Sequence, residues 1–363
     1  MRLSHLAMSV LVSVATATAC GDKQAPAPAP APTPAAAPSP VPDPTTPKPP
    51  HKESWMVQPE DTQRTVSTLL ARTDGSVIAL GGSTEPGQMR IGMMAIDAAG
   101  KVLWDKTHGD RHSLATTPNG GGVTLPDGGF LVVGNLILAD LSFHVWVGRF
   151  GADGSPMWEA KLGNADKWAS ANWALALANN EALVSVSRGD EAYPTHELVR
   201  ISLADGSVTQ TTVAPGMVVL PERDGKGVLR TLAWTYPGNS PTSQDFVVDP
   251  TSGELKAPED AASVPSREWE KAAGDALLMA SALLTDGSRI LVTRGETVGT
   301  PSMIMKGDAE GKHLWTHFLD GHGFDQVSVI TPVGAGFAFV AERWVNSAGE
   351  KREPRGVRII RMD

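Results

Sequence analysis

Short apolar runs alternate with turn residues along most of the chain, and four of them form the first recognisable unit. The runs occupy residues 66–70, 77–82, 93–97 and 102–104. Asp74 and Gly75 separate the first two runs, and Gly100 separates the last two. Apolar or alternating runs of this length, joined by Asp-Gly and Gly turns, are typical of antiparallel hairpins. The pattern therefore predicts a four-stranded antiparallel sheet.

The same unit recurs along the chain, and this repetition predicts the fold. Five copies contain a turn glycine, at Gly100, Gly154, Gly206, Gly253 and Gly311. A tryptophan follows three of these glycines by four residues, at Trp104, Trp158 and Trp315. We expect these rings to be wedged between neighbouring sheets, where they would bury a large apolar surface. The turn glycines recur every 47 to 58 residues. Repeats of this length predict an all-β fold, a β-propeller of six four-stranded blades.

The sixth copy contains three candidate strands, which begin at Val327 and end at residues 357–360. Residues 54–58 precede the first copy and can supply the missing fourth strand, with Trp55 in the tryptophan register. Such a strand would close the ring and cover the edges of an open array. A seventh blade is possible only if residues 257–271 form one. That segment is short and charged, so we expect an inserted loop with a helical turn.

The first 53 residues do not share this pattern. A positively charged start precedes an apolar stretch at residues 6–14, and small residues lead up to Cys20, the only cysteine. This arrangement resembles the lipobox of bacterial lipoproteins, in which the cysteine is lipidated and the leader, here residues 1–19, is removed. An ordinary secretory leader that is cut near Ala19 is the alternative.

Residues 24–50 are dominated by alanine and proline. Such a run forms neither a core nor a helix, and its extended form reaches on the order of 80 Å at about 3.1 Å per residue. We therefore predict a lipidated cysteine and tether at residues 20–53 and a propeller domain at residues 54–363. In enteric lipoproteins a residue such as Gly21, rather than aspartate, after the cysteine is typical of the outer membrane, so we expect a cell-envelope protein of that membrane.

Charge and cysteine content exclude several classes of function. The chain has 40 acidic and 31 basic residues and a formal charge of −9, which argues against nucleic acid or an anionic lipid surface as a partner. No cysteine follows Cys20, so neither a disulfide framework nor a thiolate metal site is expected. No later apolar stretch is long enough to span a bilayer, so the membrane partner is expected to be reached through the lipid anchor.

The first repeat resembles the docking repeat of pyrroloquinoline-quinone-type propellers, through Ala95, Asp97, Gly100, Lys101 and Trp104. The repeats with Asp-Gly-Gly and Val-Val-Gly-Asn phrases also resemble the repeats of secreted and lipid-anchored propellers. Quinone-dependent dehydrogenases of this type have eight blades, calcium-binding carboxylates and often a vicinal cysteine pair. The propeller lipoprotein of the barrel-assembly machinery also has eight blades. The resemblance therefore implies the architecture but not these activities, and no cofactor is expected.

Polar loops that follow the tryptophans contain the candidate ligand-binding residues. In a propeller the loops between blades lie on one face near the axis, so side chains from different blades would converge at one mouth. The candidates are His108, Asp110, His112, Asp166, His322 and Asp325. Imidazoles and carboxylates of this set, apart from Asp166, would suit a metal ion or an acidic ligand. Solvated turn residues are the alternative, and we assign neither a metal site nor a catalytic residue.

Together these patterns favour a lipid-anchored envelope propeller that binds a protein or polysaccharide partner as a non-catalytic scaffold. The alternative is a hydrolase or lyase that acts on envelope or extracellular glycans at the mouth. Nucleophile-elbow, phosphate-loop and dinucleotide motifs are absent from the sequence. Four tryptophans outside the docking register are expected to pack in the core, although some could form a binding platform: Trp146, Trp173, Trp234 and Trp344.

Overall fold

The computed structural model describes the part of the chain that contains the repeats. The described residues are 53–59, 65–83, 90–109, 112–114, 121–138, 140, 142–166, 168–190, 193–218, 221–223, 228–235, 242–258, 277–284, 286–294, 303–308, 312–318, 326–346 and 352–362. The predicted leader, Cys20 and residues 21–52 of the predicted tether lie outside them, whereas Glu53, the last residue assigned to the tether, is the first residue of a strand. Most of the segment expected to be an inserted loop also lies outside them, as do the sequence candidates Asp110, His322 and Asp325.

All regular structure in the described residues is β-strand. The first blade contains β2 (Thr68–Ala71), β3 (Val77–Ser83), β4 (Arg90–Ile96) and β5 (Val102–His108). In the second blade, two short inner strands, β6 (His112–Leu114) and β7 (Gly122–Thr124), pair with β8 (Phe130–Ile137), followed by β9 (Phe143–Phe150) and β10 (Pro156–Asp166). The third blade contains β11 (Ala169–Ala176), β12 (Glu181–Asp190), β13 (Tyr193–Ser202) and β14 (Val208–Val213).

The second half of the chain repeats this arrangement. In the fourth blade, β15 (Met217–Val218) and β16 (Glu222–Arg223) pair with β17 (Leu229–Thr235), followed by β18 (Thr242–Val248) and β19 (Leu255–Lys256). The fifth blade contains β20 (Leu277–Leu283), β21 (Arg289–Arg294), β22 (Met303–Gly307) and β23 (His313–Phe318). The sixth contains β24 (Gln326–Val333), β25 (Gly336–Asn346), β26 (Arg352–Met362) and β1 (Glu53–Val57). The predicted six-bladed propeller is confirmed.

Closure of the ring by an N-terminal strand is also confirmed. The outermost strand of the sixth blade is β1, which runs antiparallel to β26 with Trp55 opposite Arg361 and Val57 opposite Ile359. The first strand of the folded part therefore completes the sheet that the last strands begin. This pairing covers the edge of β26, which would otherwise be an exposed sheet edge.

The core lies between the blades. Each of five large clusters of buried side chains in the described residues joins two neighbouring blades. Successive residues of a strand serve opposite clusters: Leu183 packs toward the fourth blade and Val184 toward the second. Because side chains alternate between the faces of a sheet, both faces of a blade must be apolar. This explains the wholly apolar runs in the sequence.

Tryptophans on three outer strands lock their blades to the next blade. The indole Nε1 of Trp55 donates to the carbonyl of Ala98 at 3.1 Å, within the β4–β5 turn. Equivalent bonds run from Trp104 to the carbonyl of Ala152 and from Trp158 to the carbonyl of Leu203. The wedge role predicted for Trp104 and Trp158 is thus confirmed, and Trp55 plays the same role in the closing blade.

The turn glycine explains why the indole ring of the neighbouring blade can approach the turn so closely. Gly100 has φ +88°, and a Cβ at this position would lie 2.6 Å from the Cβ of Trp55. The equivalent glycines, Gly154 and Gly206, also have positive φ and lie against Trp104 and Trp158. Only glycine combines this backbone conformation with the absence of a side chain. A turn glycine and the tryptophan four residues later therefore serve different junctions. The glycine receives the indole of one neighbouring blade, and the tryptophan docks on the turn of the other.

Asp-Gly pairs form hairpin turns, as their sequence context predicted. Asp74 accepts hydrogen bonds from the backbone N–H of Ser76 at 2.9 Å and from its hydroxyl at 2.6 Å. These bonds hold the pKa of the Asp74 carboxyl below its ordinary value. Asp286 and Ser288 repeat the arrangement in the fifth blade. The carboxylates of these turns are therefore engaged by their own hairpins.

Replacing Trp55 should destabilise the closed ring. We expect Trp55→Ala to lower the free energy of unfolding by about 3–5 kcal/mol, because a buried indole is removed from the closing junction. Trp55→Phe should lower it by about 1–2 kcal/mol, because the ring remains but the bond to Ala98 is lost. Guanidinium unfolding measures both values, with exposed Gln58→Ala as the control. Equal stability of Trp55→Ala and wild type would contradict this role in closure.

Candidate functional site

The two histidines that follow Trp104 meet at the junction of the first and second blades. His108 is the last residue of β5 and His112 the first of β6, and their ring centroids lie 5.8 Å apart. Gly109 between them has φ +69°, and a Cβ there would lie 2.2 Å from Nδ1 of His112. Both histidines therefore lie in strands, and the positive φ of Gly109 departs from a helical backbone.

Aromatic rings from the second blade surround this pair. The imidazole of His108 stacks on the indole of Trp146, with centroids 5.6 Å apart, and meets Phe150 edge-on at 4.9 Å. His112 meets Trp146 edge-on at 4.8 Å. Trp146 and Phe150 are fully buried, so the histidines lie over the outer part of an apolar cluster.

A carboxylate from β10 completes the group. Oε2 of Glu159 accepts a hydrogen bond from Nε1 of Trp146 at 2.8 Å. Oε1 lies 3.2 Å from Nε2 of His108, and Oε2 lies 3.9 Å from Nε2 of His112. The contact with His108 lacks the alignment of a hydrogen bond. We call His108, His112, Trp146 and Glu159 the junction cluster.

Glu159 was not among the sequence candidates, although its position carries a signal. It follows Trp158, which docks on the third blade, so the alternation of strand side chains turns Glu159 toward the first blade. An imidazole and a carboxylate at this distance can together bind a polar ligand. Among the described residues, no group of three or more histidine, cysteine or acidic side chains is arranged to hold a metal ion.

Asp166 lies at the next junction along the ring, between the second and third blades. Its Oδ2 is 3.4 Å from Nη1 of Arg188, and Nε of Arg188 is 3.0 Å from Oε2 of Glu197. The three charged side chains line a cleft of about 430 Å³, together with Val208 and Thr211 of β14. We call this space the interblade cleft. The structure thus brings His108 and His112 together and places Asp166 with a different set of charges.

A buried polar network in the third blade had no counterpart in the sequence motifs. Nδ2 of Asn172 donates to the hydroxyls of Ser185 and Ser187, at 3.2 and 3.0 Å. The Ser187 hydroxyl is 2.8 Å from Nδ1 of His196, its partner across β12 and β13. Burial lowers the pKa of His196, which favours a neutral ring, and the tautomer of that ring decides whether Nδ1 accepts from or donates to the hydroxyl. Ser187 is buried, so the network satisfies polar groups within the third blade and offers no accessible nucleophile.

Core packing is confirmed for two of the off-register tryptophans. Trp146 and Trp173 are buried, and Nε1 of Trp173 donates to the carbonyl of Val218 at 2.7 Å. The side chains of Trp234 and Trp344 lie outside the part of the chain that is described.

Comparison with known proteins supports the fold and no more. No family model and no curated protein matches the chain. A solved protein of unknown function from Dyadobacter fermentans is similar, with 11% identity, a TM-score of 0.53, and coverage of 87% of this chain and 100% of that one. At this identity the likeness shows the fold alone.

Two further solved structures share the shape at lower similarity. The β-propeller domain of the trilobed protease from Pyrococcus furiosus has a TM-score of 0.46 and 9% identity, with coverage of 80% of this chain and 94% of that one. The calcium-binding protein regucalcin from Agrobacterium tumefaciens has a TM-score of 0.45 and 11% identity, with coverage of 81% and 88%. Within the described residues, no helix is long and apolar enough to cross a membrane.

Glu159 should stabilise the first junction through Trp146. We expect Glu159→Ala to lower the free energy of unfolding by about 1–3 kcal/mol, because the buried indole N–H loses its acceptor. Glu159→Gln retains an acceptor oxygen and should lower the free energy of unfolding by less. Exposed Lys161→Ala, on the same strand, is the control. Chemical denaturation of the four proteins compares them, and a Glu159→Ala variant as stable as Lys161→Ala would contradict the assignment.

Proposed function

We propose that this protein is a lipid-anchored β-propeller of the cell envelope that binds a protein or polysaccharide partner as a scaffold. The observation that carries the proposal is a set of apolar side chains exposed on outer strands. Leu103, Met157 and Leu314 are 51%, 57% and 45% exposed. Each directly precedes a docking tryptophan, so all three occupy the same register in their blades. We call them the rim residues.

The strand geometry explains why these residues face outward. Each is the extra residue of a β-bulge, because the register with the neighbouring strand shifts between Val102 and Trp104, between Pro156 and Trp158, and between His313 and Trp315. A bulge leaves its extra residue unpaired and re-aims the side chain, here away from the tryptophan contact. Single exposed apolar residues are ordinary on protein surfaces, but their repetition at one structural position is not. Leucine and methionine bury well against a partner and add affinity through apolar contact. The propeller therefore supports a binding role at its rim.

The N-terminal sequence supports the location. A lipidated Cys20 would hold the chain at a membrane, and several acyl chains on one cysteine anchor stably. The alanine- and proline-rich tether would place the propeller up to on the order of 80 Å from the anchor. A repeat domain on a stiff spacer is suited to contact a partner beyond the membrane surface. The outer membrane remains the expected location.

Lipidation of Cys20 is the first test of this proposal. The mature wild-type protein should partition into detergent, and the mass of its N-terminal peptide should include acyl chains on Cys20. Cys20→Ala should carry no acyl chain and should not be cut before residue 20. A wild-type peptide with a free thiol and no acyl mass would show an ordinary secretory leader and overturn the anchor.

Partner binding should depend on the rim residues. We would cross-link the lipidated protein in native envelopes, purify it in mild detergent and identify its partners by mass spectrometry. A stoichiometric partner should be captured by wild type and reduced about tenfold by the triple variant Leu103→Ser, Met157→Ser and Leu314→Ser. A triple serine variant of the exposed residues Lys161, Glu254 and Lys312 is the matched control. Capture that is identical in both triple variants would contradict a rim site.

Glycan hydrolysis or cleavage by a lyase is the second candidate function. It is supported by the 3.2 Å approach of Glu159 to His108, since paired imidazole and carboxylate groups serve in general acid–base chemistry. Recovery of wild-type protein without any partner in the cross-linking experiment would overturn the scaffold. The same preparation would then be assayed for glycan cleavage that is lost in His108→Gln and His112→Gln.

A further inference from the structure

The outer strand of the third blade differs from the other outer strands. All six residues of β14, Val208 to Val213, are exposed, and the strand pairs on one side only, with β13. Its sequence, Val-Thr-Gln-Thr-Thr-Val, contains no charge and no proline. By contrast, β5 carries Asp105 and Lys106, and β10 carries Glu159 and Lys161. The strand β23 also lacks such charges and proline, but it buries Trp315 against the sixth blade. Proteins usually protect sheet edges with charges or proline, so an unprotected edge is a candidate for strand pairing.

The strand is nevertheless held firmly against its blade. The Gln210 amide oxygen accepts a hydrogen bond from Nη1 of Arg200 at 2.9 Å, and the Thr209 hydroxyl donates to Glu181 at 2.7 Å. Arg200 and Glu181 in turn form an ion pair. From Gln210 to Val213 the pairing with β13 is unbroken. An edge that is already ordered loses little conformational entropy when a second strand is added.

The interblade cleft opens beside this edge and is negatively charged. Val208 and Thr211 of β14 contribute to its lining. Its floor holds Arg188, whose side chain is 15% exposed, between the carboxylates of Asp166 and Glu197. Two carboxylates and one guanidinium leave one net negative charge, and the whole chain carries −9. A basic side chain therefore complements the cleft better than an acidic or an apolar one.

We propose that β14 pairs with an extended segment of a partner protein, and that a lysine or arginine of this segment enters the interblade cleft. The inference rests on the proposed partner-binding function and specifies its surface and the chemistry of the partner. In strand addition, main-chain hydrogen bonds provide affinity and pockets for alternate side chains provide specificity. Here the edge of β14 would supply the main-chain hydrogen bonds, and the interblade cleft would supply the side-chain pocket.

Synthetic peptides test the proposal directly. The probe is a capped nonapeptide of alternating threonine and valine with one central lysine. Three controls replace the lysine with norleucine, replace it with glutamate, or place a proline beside it to remove a backbone donor. Calorimetry should show that wild-type protein binds the lysine peptide at least fivefold more tightly than the norleucine peptide and does not bind the proline peptide.

Two protein variants separate the edge from the cleft. Val213→Lys places a charge on β14, where Val213 is 70% exposed, and should abolish binding of both the lysine and norleucine peptides. Asp166→Asn should weaken only the lysine peptide, so that its advantage over norleucine disappears. Val102→Lys on β5 and Asp105→Asn are the matched controls and should bind as wild type does. Equal binding of the lysine, glutamate and proline peptides would overturn the proposal.

The envelope cross-linking experiment distinguishes failure of this inference from failure of the scaffold. A partner captured in full by Val213→Lys and Asp166→Asn, but lost in the rim variant, would overturn strand addition and leave the scaffold standing. Loss of the partner in Val213→Lys and Asp166→Asn, with retention in their controls, would support strand addition. Sedimentation velocity tests whether a second copy of this chain pairs with the edge instead. A wild-type dimer that Val213→Lys dissociates would assign the edge to that second copy and overturn the proposal of a partner segment.

Discussion

The packing of an indole ring on a glycine turn of the next blade is the contact on which the ring depends. A single blade is a small sheet with two apolar faces, and it cannot bury both without neighbours. Trp55, Trp104 and Trp158 each span such a junction and end in a hydrogen bond to a turn carbonyl. The turn that receives the ring needs positive φ and no side chain, and glycine satisfies both conditions. Because Trp55 comes from β1, the same contact also closes the ring.

This contact also determines what the neighbouring residues of the outer strands do. The residue before the tryptophan turns outward, which exposes Leu103 and Met157 at the rim. The residue after Trp158 turns back to the preceding blade, which places Glu159 beside Trp146 and the histidines. A structural repeat thus generates both the rim and the junction cluster, although neither is needed for the fold. The rim residues and Glu159 are therefore outer-strand residues next to a docking tryptophan that do not take part in docking.

The third blade shows what happens where the tryptophan is missing. The strand β14 has no aromatic residue, and the turn glycine of the fourth blade, Gly253, packs on Leu177 and Leu183. Polar contacts from Arg200 and Glu181 hold β14 in place of an apolar anchor. Its side chains therefore remain in solvent, next to a charged cleft. The departure from the repeat coincides with the surface that is best suited to a partner strand.

Local sequence determined the architecture of this protein. The period of the apolar runs, the Asp-Gly turns and the Gly-to-Trp spacing predicted four-stranded blades, six of them, and closure by residues 54–58. These features are local because strand alternation and turn conformation depend on adjacent residues. The lipid anchor and the tether are also predictions from local sequence, and they concern residues outside the described part.

The contacts of the polar side chains were decided only by the tertiary structure. Sequence candidates included His108, His112 and Asp166 as one convergent set, but the structure distributes them over two junctions. Glu159 and Arg188 were not predicted: alternation after Trp158 indicates the side to which Glu159 turns, but the local sequence does not show which side chains of other strands face either residue. The pairing of Ser187 with His196 depends on the register of β12 and β13. A shift of one residue would turn every side chain to the opposite face, so the site follows from the register and packing of distant segments.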